Sequence, residues 1–304
     1  MNFPEDSERF FFCIGPQKTG TTWLYDQLKD HPQVNMPRVK ELRYFWEREK
    51  LGEGSLMRSL FSKHWHYKEK RQTIVTRVRR HFSDALSGKL VADDLRWDLE
   101  WFFKKPNLHW YQSRFPSTGL TGDITPKYSE LELHSIKYMR QLYPKAKVVI
   151  SLRDPIERIW SRSKMNLLKR KGKQDSQEVD DARFLVDFEH SPDQVSNDYV
   201  GLVERWKSVF SSDVLVIFYD DIAIRPQWVL TRICEHLGLD DEQFKEAAQR
   251  SNKGLQEPVP ERFLAPLVRM NQKNLASMRD YFPEEHPTKW YDRYESLMQN
   301  HSKG

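Results

Sequence analysis

The sequence predicts an α/β fold, a three-layer sandwich with a central, mainly parallel sheet flanked by helices. Near-continuous apolar runs occur at Phe10–Ile14, Lys147–Leu152 and Val214–Phe218, as expected of strands buried on both faces. Stretches of helical period follow the first two, and strands that alternate with helices pair in parallel through crossovers. No internal repeat or Gly/Ser linker divides the 304 residues. One domain is therefore expected, with a helical insertion at about residues 50–105.

The first run passes directly into the turn Gly15-Pro16-Gln17-Lys18-Thr19-Gly20, after which Trp23, Leu24 and Leu28 recur at helical spacing over Thr21–His31. Met57–Phe82 is helical in period and carries a basic face of Lys68, Lys70, Arg71, Arg77, Arg79 and Arg80. That face and the run Lys164–Lys173 read first as solvated surface, and second as a groove for an anionic glycan. The Trp-rich Asp93–Phe115 reads as short helices around Pro106. A shorter strand, Leu120–Ile124, leads into Thr125-Pro126, and a helix over Leu131–Leu142 ends before Pro144.

After Lys147–Leu152, Asp154 before Pro155 suits an N-cap with proline at the first helical position. Lys169–Asp181 is charged enough to be an exposed loop. A helix over Asp198–Phe210 precedes the last run. Another over Pro226–Leu237 stops at Gly238, a C-cap residue.

Composition narrows the function. Hydrophobic residues make up 38% and aromatics 13% of the chain, enough for a packed core. The 49 basic residues against 44 acidic leave a net charge of +5, which suits an anionic ligand. No basic patch interleaved with aromatics points to nucleic acid. Cys13 and Cys234 lie far apart in apolar surroundings, so both read as buried thiols rather than a disulfide. No basic-then-apolar leader and no stretch of about 18 apolar residues is present. The chain therefore reads as soluble and cytoplasmic.

The loop Gly15–Gly20 with Thr21 and Thr22 is the most informative segment. Glycines let backbone N–H groups approach an anion, and the N-terminus of the following helix favours negative charge. Lys18 adds a cation, and Thr19, Thr21 and Thr22 add hydroxyls. The glycine spacing matches a nucleoside triphosphate P-loop, but Thr21 stands where that loop needs lysine, and the lysine has moved inside to Lys18. The fold is thus P-loop-like, with a loop suited to a single 5′-phosphate carrying the group to be transferred. A second anion clamp is legible at Arg153, at a strand end, and Ser161, eight residues on. Arg153 also has alternative partners in Asp154 and Glu157.

Pro16-Gln17-Lys18-Thr19-Gly20-Thr21-Thr22-Trp23-Leu24 resembles the 5′-phosphosulfate loop of sulfotransferases that use 3′-phosphoadenosine 5′-phosphosulfate (PAPS), and Arg153 to Ser161 is similar to their 3′-phosphate motif. The likeness is to the heparan sulfate and carbohydrate branch and its bacterial relatives, from Phe10 to about Gly254. The resemblance implies nucleotide contacts from Gln17, Lys18, Thr19, Gly20, Thr21, Thr22, Trp23, Arg153 and Ser161. It extends to Lys253 and Gly254 in a closing loop, where an ordinary surface turn is an equal reading.

The same resemblance implies a general base at Glu41, whose bland alternative is a solvent-facing acid beside Lys40 and Arg43. Lys40, Arg43, Asp123 and Lys127 become candidate acceptor contacts. Relatives carry a second lysine directly before Thr-Pro, where this chain has Ile124, and Lys127 is the replacement within reach. Trp110, Tyr111 and Phe115 echo the family but read as packing.

The implied reaction is sulfuryl transfer from PAPS, with adenosine 3′,5′-bisphosphate as product, to a hydroxyl or amine of a carbohydrate or glycoconjugate. No His, Cys or carboxylate cluster has metal-ligand spacing, so no metal is expected. Two alternatives stay open. One is a P-loop kinase using Mg-ATP, with Tyr219-Asp220-Asp221 as a Walker B-like strand end. The other is a non-catalytic module binding a nucleotide or anionic polysaccharide.

Overall fold

A computed structural model describes residues 9–52, 65–87, 91–104, 106–116, 119–171, 198–240 and 258–299. Lys253, Gly254 and the basic run past Lys171 lie outside them, as do the side chains of Lys68, Lys70 and Arg71. The chain divides into two compact units, residues 1–43 with 116–304, and residues 44–115.

The first unit is built on strands β1 (Phe10–Ile14), β2 (Thr121–Ile124), β3 (Lys147–Leu152) and β4 (Val214–Phe218). They form one sheet in the order β2-β1-β3-β4, with every pairing parallel. Each apolar run predicted as a strand is one. The alternation of side chains along β1 explains why the run is apolar throughout. Phe11 and Cys13 enter a core with Trp23, Leu24 and Leu28 of helix α1 (Thr21–Lys29). Phe10 and Phe12 point to the opposite face, where Phe10 stacks on Tyr143 and Phe12 meets Tyr128 and Phe210 edge-on.

The chain leaves this unit after Arg43 and returns at Pro116. The two arms are joined where it does so. Val34 bridges to Leu120, Asn35 N–H donates to the Leu120 carbonyl at 2.8 Å, and the Thr121 hydroxyl donates to the Asn35 carbonyl at 2.6 Å. The second unit holds helices α2 (Tyr44–Leu51), α3 (Trp65–Leu86), α4 (Ala92–Phe103) and α5 (Leu108–Gln112). Its packing is aromatic: Tyr111 stacks on Tyr44 and meets Phe45 and Phe115 edge-on, and Trp101 lies between Trp97 and Trp110. Arg77 on the basic face of α3 pairs with Asp98 within the same unit.

The remaining helices belong to the first unit. They are α6 (Leu133–Leu142), α7 (Pro155–Lys171), α8 (Tyr199–Phe210), α9 (Tyr219–Ile224), α10 (Pro226–Leu237), α11 (Glu261–Tyr281) and α12 (His286–Gln299). Asp198 caps α8 by accepting from Gly201 N–H, and Gly238 closes α10 in the left-handed conformation. The helix expected from Leu131 begins at Leu133, because Pro126–Glu130 forms a 3₁₀ turn and Leu131 and Glu132 are extended. Helix α7 carries three residues, Lys169–Lys171, of the stretch expected to be loop. Helices α2, α9, α11 and α12 have no counterpart in the sequence reading. In α11 a proline inside the helix, Pro266, breaks the usual pattern. Among the described residues, no helix is long and apolar enough to cross a membrane. Cys13 and Cys234 are both buried free thiols.

Candidate active site

The site gathers at the C-terminal ends of β1 and β3, where open parallel sheets present their loops to ligands. After β1 the backbone turns through Gly15 at φ 144°, and a Cβ there would strike the carbonyl oxygen of Ser151 at the end of β3. Only glycine permits that approach. Lys18 holds φ 75°, and Gly20, at φ 95°, caps α1 without a side chain. The loop is pinned from within: Thr19 donates its hydroxyl to the Pro16 carbonyl at 2.9 Å, and Ser151 donates to the Thr19 carbonyl. Thr19 is fully buried and Trp23 packs in the core, so of the candidate nucleotide contacts these two face away from the loop's open side. Only their backbone N–H groups remain to meet an anion. Gln17, Lys18, Gly20 and Thr22 are partly exposed.

The N-terminus of α1 has no acidic residue in its first turn. Instead a cation lies there. Lys40 Nζ is 2.7 Å from Thr22 Oγ1 and 3.4 Å from Thr21 Oγ1. Burial pulls its pKa below the ordinary lysine range, opposed by the charges of Glu41, Cys13 and Asp26 and aided by Arg43. Glu41 adjoins it with φ 64°, and Arg43 with φ 58°. Arg43 grips Glu41 Oε2 through Nη2 at 2.7 Å and Nε at 3.3 Å, while Oε1 lies 3.8 Å from Lys40 Nζ. The acid predicted as base is therefore held between the two cations that flank it in sequence, and through Lys40 it is tied to the phosphate-type loop.

Arg153 leaves the end of β3 beside that loop. Its Nη1 faces the Lys18 carbonyl at 3.5 Å, and its guanidinium lies over the Tyr219 ring at 4.3 Å. Arg153 Nη2 pairs with Glu157 Oε2 at 3.1 Å, the alternative partner that the sequence allowed. Asp154 caps α7 as expected, its Oδ1 accepting from Ile156 N–H at 2.8 Å and Glu157 N–H at 3.3 Å. Its Oδ2 accepts from the Tyr294 hydroxyl at 2.9 Å and Arg293 at 3.1 Å. Burial, and next the Glu157 charge, push the Asp154 carboxyl up to about 6. Ser161 stands two turns along α7, partly exposed.

Two further candidates are turned to local partners. Asp123 is fully buried, accepting from the Thr125 hydroxyl at 2.6 Å and the Tyr128 hydroxyl at 2.7 Å. Lys127 Nζ closes on Glu130 at 2.6 Å. His31 lies at the end of α1, its Nδ1 accepting from Gln33 N–H, so that Nε2 donates to the Asp240 carbonyl at 2.8 Å.

Sequence reasoning missed Tyr219, which braces Arg153 and would touch a Cβ on Gly20 at 3.1 Å. Its place directly after β4, beside β3, was the available signal. It also missed Arg293 and Tyr294, for which a contact across about 140 residues leaves no local trace. Among the described residues, no three His, Cys, Asp or Glu side chains gather as a metal-binding group.

A model of the sulfotransferase family matches residues 11–243, a span that includes the Gly15–Gly20 loop and the segment Arg153 to Ser161. The chain belongs to the sulfotransferase family. The chain is 26% identical to mouse carbohydrate sulfotransferase 15 over 159 residues, and 25% identical to the human protein over 165. Each match covers 50% of this chain but 26% of the relative, so the shared segment spans about a quarter of those relatives' length. Among solved structures, a sulfotransferase from Alicyclobacillus acidocaldarius shares the fold with a TM-score of 0.61 at 17% identity. That likeness covers 95% of this chain and 99% of the other.

Proposed function

We propose that this protein transfers a sulfuryl group from PAPS to a hydroxyl or amine of an acceptor, in the class of carbohydrates and glycoconjugates. The observation that carries the reading is the contact between Arg153 and the Lys18 carbonyl, 3.5 Å apart. It brings Arg153 beside the Gly15–Gly20 loop, which supports a single bisphosphorylated nucleoside reaching both. The residues present fit such a ligand. The α1 N-terminus offers N–H groups with no competing acid in its first turn. Lys40 is held there although helix dipole and burial both oppose a cation. Arg153 Nε is buried with no hydrogen-bond partner among the described residues.

The donor, when bound, supplies an activated sulfuryl group on a phosphate leaving group. The α1 N-terminus, Thr21 and Thr22 would hold the 5′-phosphate, and Arg153 and Ser161 the 3′-phosphate. Lys18 would neutralise the bridging oxygen as its bond to sulfur breaks. Glu41 would take the proton that the acceptor loses as its oxygen or nitrogen bonds to sulfur in line. Since Arg43 occupies Oε2, Oε1 is the oxygen that receives it, and Arg43 acts as the orienting group that such a base needs. Lys40 rather than Lys127 would supply the second cation, because Lys127 is turned to Glu130. The family's carbohydrate relatives support the acceptor class.

The kinase alternative loses support at the end of β4. Asp221 is engaged by Arg225 at 2.7 Å and His286 at 2.8 Å, and Asp220 accepts from the Trp290 indole at 3.2 Å. Carboxylates so bound make poor Mg²⁺ ligands. The experiment compares thermal stabilisation by adenosine 3′,5′-bisphosphate with that by Mg-ATP, then follows bisphosphate release from PAPS across an acceptor panel. Stabilisation by the bisphosphate and acceptor-dependent release are expected. Stabilisation by Mg-ATP alone would overturn the reading.

A further inference from the structure

Glu157 stands four residues after Arg153 and four before Ser161, between the two groups assigned to the 3′-phosphate. Its carboxylate is shared. Oε2 lies 3.1 Å from Arg153 Nη2, and Oε1 lies 3.0 Å from Arg293 Nη1 on α12. Arg293 Nη1 also reaches Asp154 Oδ2 at 3.1 Å. Two guanidinium groups thus face two carboxylates at this corner. A phosphate arriving at Arg153 would meet a carboxylate already there.

The two partners of Glu157 differ in freedom. Arg153 is braced by the Tyr219 ring and the Lys18 carbonyl, with its side chain 17% exposed. The Glu157 and Arg293 side chains are 40% and 47% exposed. The group able to move is therefore Glu157, and Arg293 is already bonded to its other oxygen.

We propose that Glu157 is a built-in competitor for the nucleotide's 3′-phosphate, and that Arg293 is the residue that draws Glu157 off Arg153 when nucleotide binds. This rests on the reading that Arg153 receives a phosphate. The exchange conserves ion pairs: Arg153 trades a carboxylate for a phosphate, and Glu157 keeps Arg293. On product release the trade reverses, and Glu157 helps expel the bisphosphate. Arg293 and Glu157 are positioning residues, acting through Arg153 without touching the reacting atoms.

Calorimetry with adenosine 3′,5′-bisphosphate and with adenosine 5′-monophosphate tests this on the full chain. Glu157→Gln should tighten the bisphosphate about two- to fivefold, the worth of one half-exposed ion pair, and leave the monophosphate unchanged. Arg293→Met should weaken the bisphosphate by a similar factor, and that loss should vanish in the Glu157→Gln background. Monophosphate affinity and melting temperature report whether each variant is folded. An unchanged or weakened bisphosphate affinity in Glu157→Gln overturns the exchange, as does an Arg293→Met loss that persists without Glu157. If wild type and Arg153→Ala bind both nucleotides alike, the phosphate assignment itself falls, and the exchange with it. If Arg153→Ala loses only the bisphosphate while Glu157→Gln has no effect, the exchange alone falls.

Discussion

The ammonium of Lys40 lies 2.7 Å from the hydroxyl of Thr22, at the positive end of a helix. A buried cation in that place is stabilised chiefly by Glu41, 3.8 Å away, and would be stabilised further by a bound anion. Lys40→Met should therefore lower kcat by about 10²–10³-fold, the usual effect of losing one transition-state donor. Lys127→Met should change it far less. Because burial depresses the Lys40 pKa, the ammonium is present at lower pH and lost as pH rises. The rate should fall on the alkaline side below the ordinary lysine range, and Lys40→Arg should move that limb upward. Identical alkaline limbs would remove Lys40 from the reaction.

Lys18→Ala and Glu41→Gln should separate the two halves of the chemistry. The first should cut turnover by about 10²–10³-fold. The second should abolish turnover yet leave bisphosphate affinity within about twofold of wild type, since no binding interaction is assigned to Glu41. Near-normal turnover in Glu41→Gln would end its candidacy as base. Arg43→Met, which frees the carboxylate it grips, should lower kcat more than it raises KM.

Asp154 gives a pH signature in stability. Its carboxyl is pushed up to about 6 from 3.8 by burial and by Glu157. The folded chain then holds the proton more tightly than the unfolded chain does. The stabilisation is complete below the unfolded value and is lost as pH climbs through about 6. Between about pH 4 and pH 7 the melting temperature of Asp154→Asn should fall less than that of wild type. Parallel curves would refute the shift.

Gly15 and Gly238 should respond differently to alanine. At Gly15 the new methyl would meet the Ser151 carbonyl, so Gly15→Ala should destabilise by at least about 1–3 kcal/mol and impair nucleotide binding. At Gly238 nothing lies within 4 Å and only the φ of 69° is adverse, so the cost should be about 1 kcal/mol with binding unchanged. Chemical denaturation measures both.

Legibility followed the range of the interactions. The strands at Phe10, Lys147 and Val214 announced themselves because burial on both faces demands unbroken apolar runs. The Gly15–Gly20 loop and the Asp154-Pro155 cap were readable because their logic is local. What stayed hidden was set by distant partners. Nothing near Asp154 names Tyr294, 140 residues away, whereas Lys127 closes on Glu130 only three residues on, a local pair the sequence reading passed over. Helices α11 and α12 carry their signal in plain view, with Phe263, Leu267, Val268, Leu275 and Met278 of α11 and Trp290, Tyr294 and Met298 of α12 buried at helical spacing, and Pro266 is the one residue of α11 that works against a helix.

The bonds that join Val34 and Asn35 to Leu120 and Thr121 have a consequence for how such a chain can change. They close a neck, so the ends of the excursion through residues 44–115 are held within the sheet's own unit. Loop-closure entropy grows slowly with length. A longer, shorter or unrelated excursion would hang from the same neck at little thermodynamic penalty, leaving the ends of β1 and β3 undisturbed.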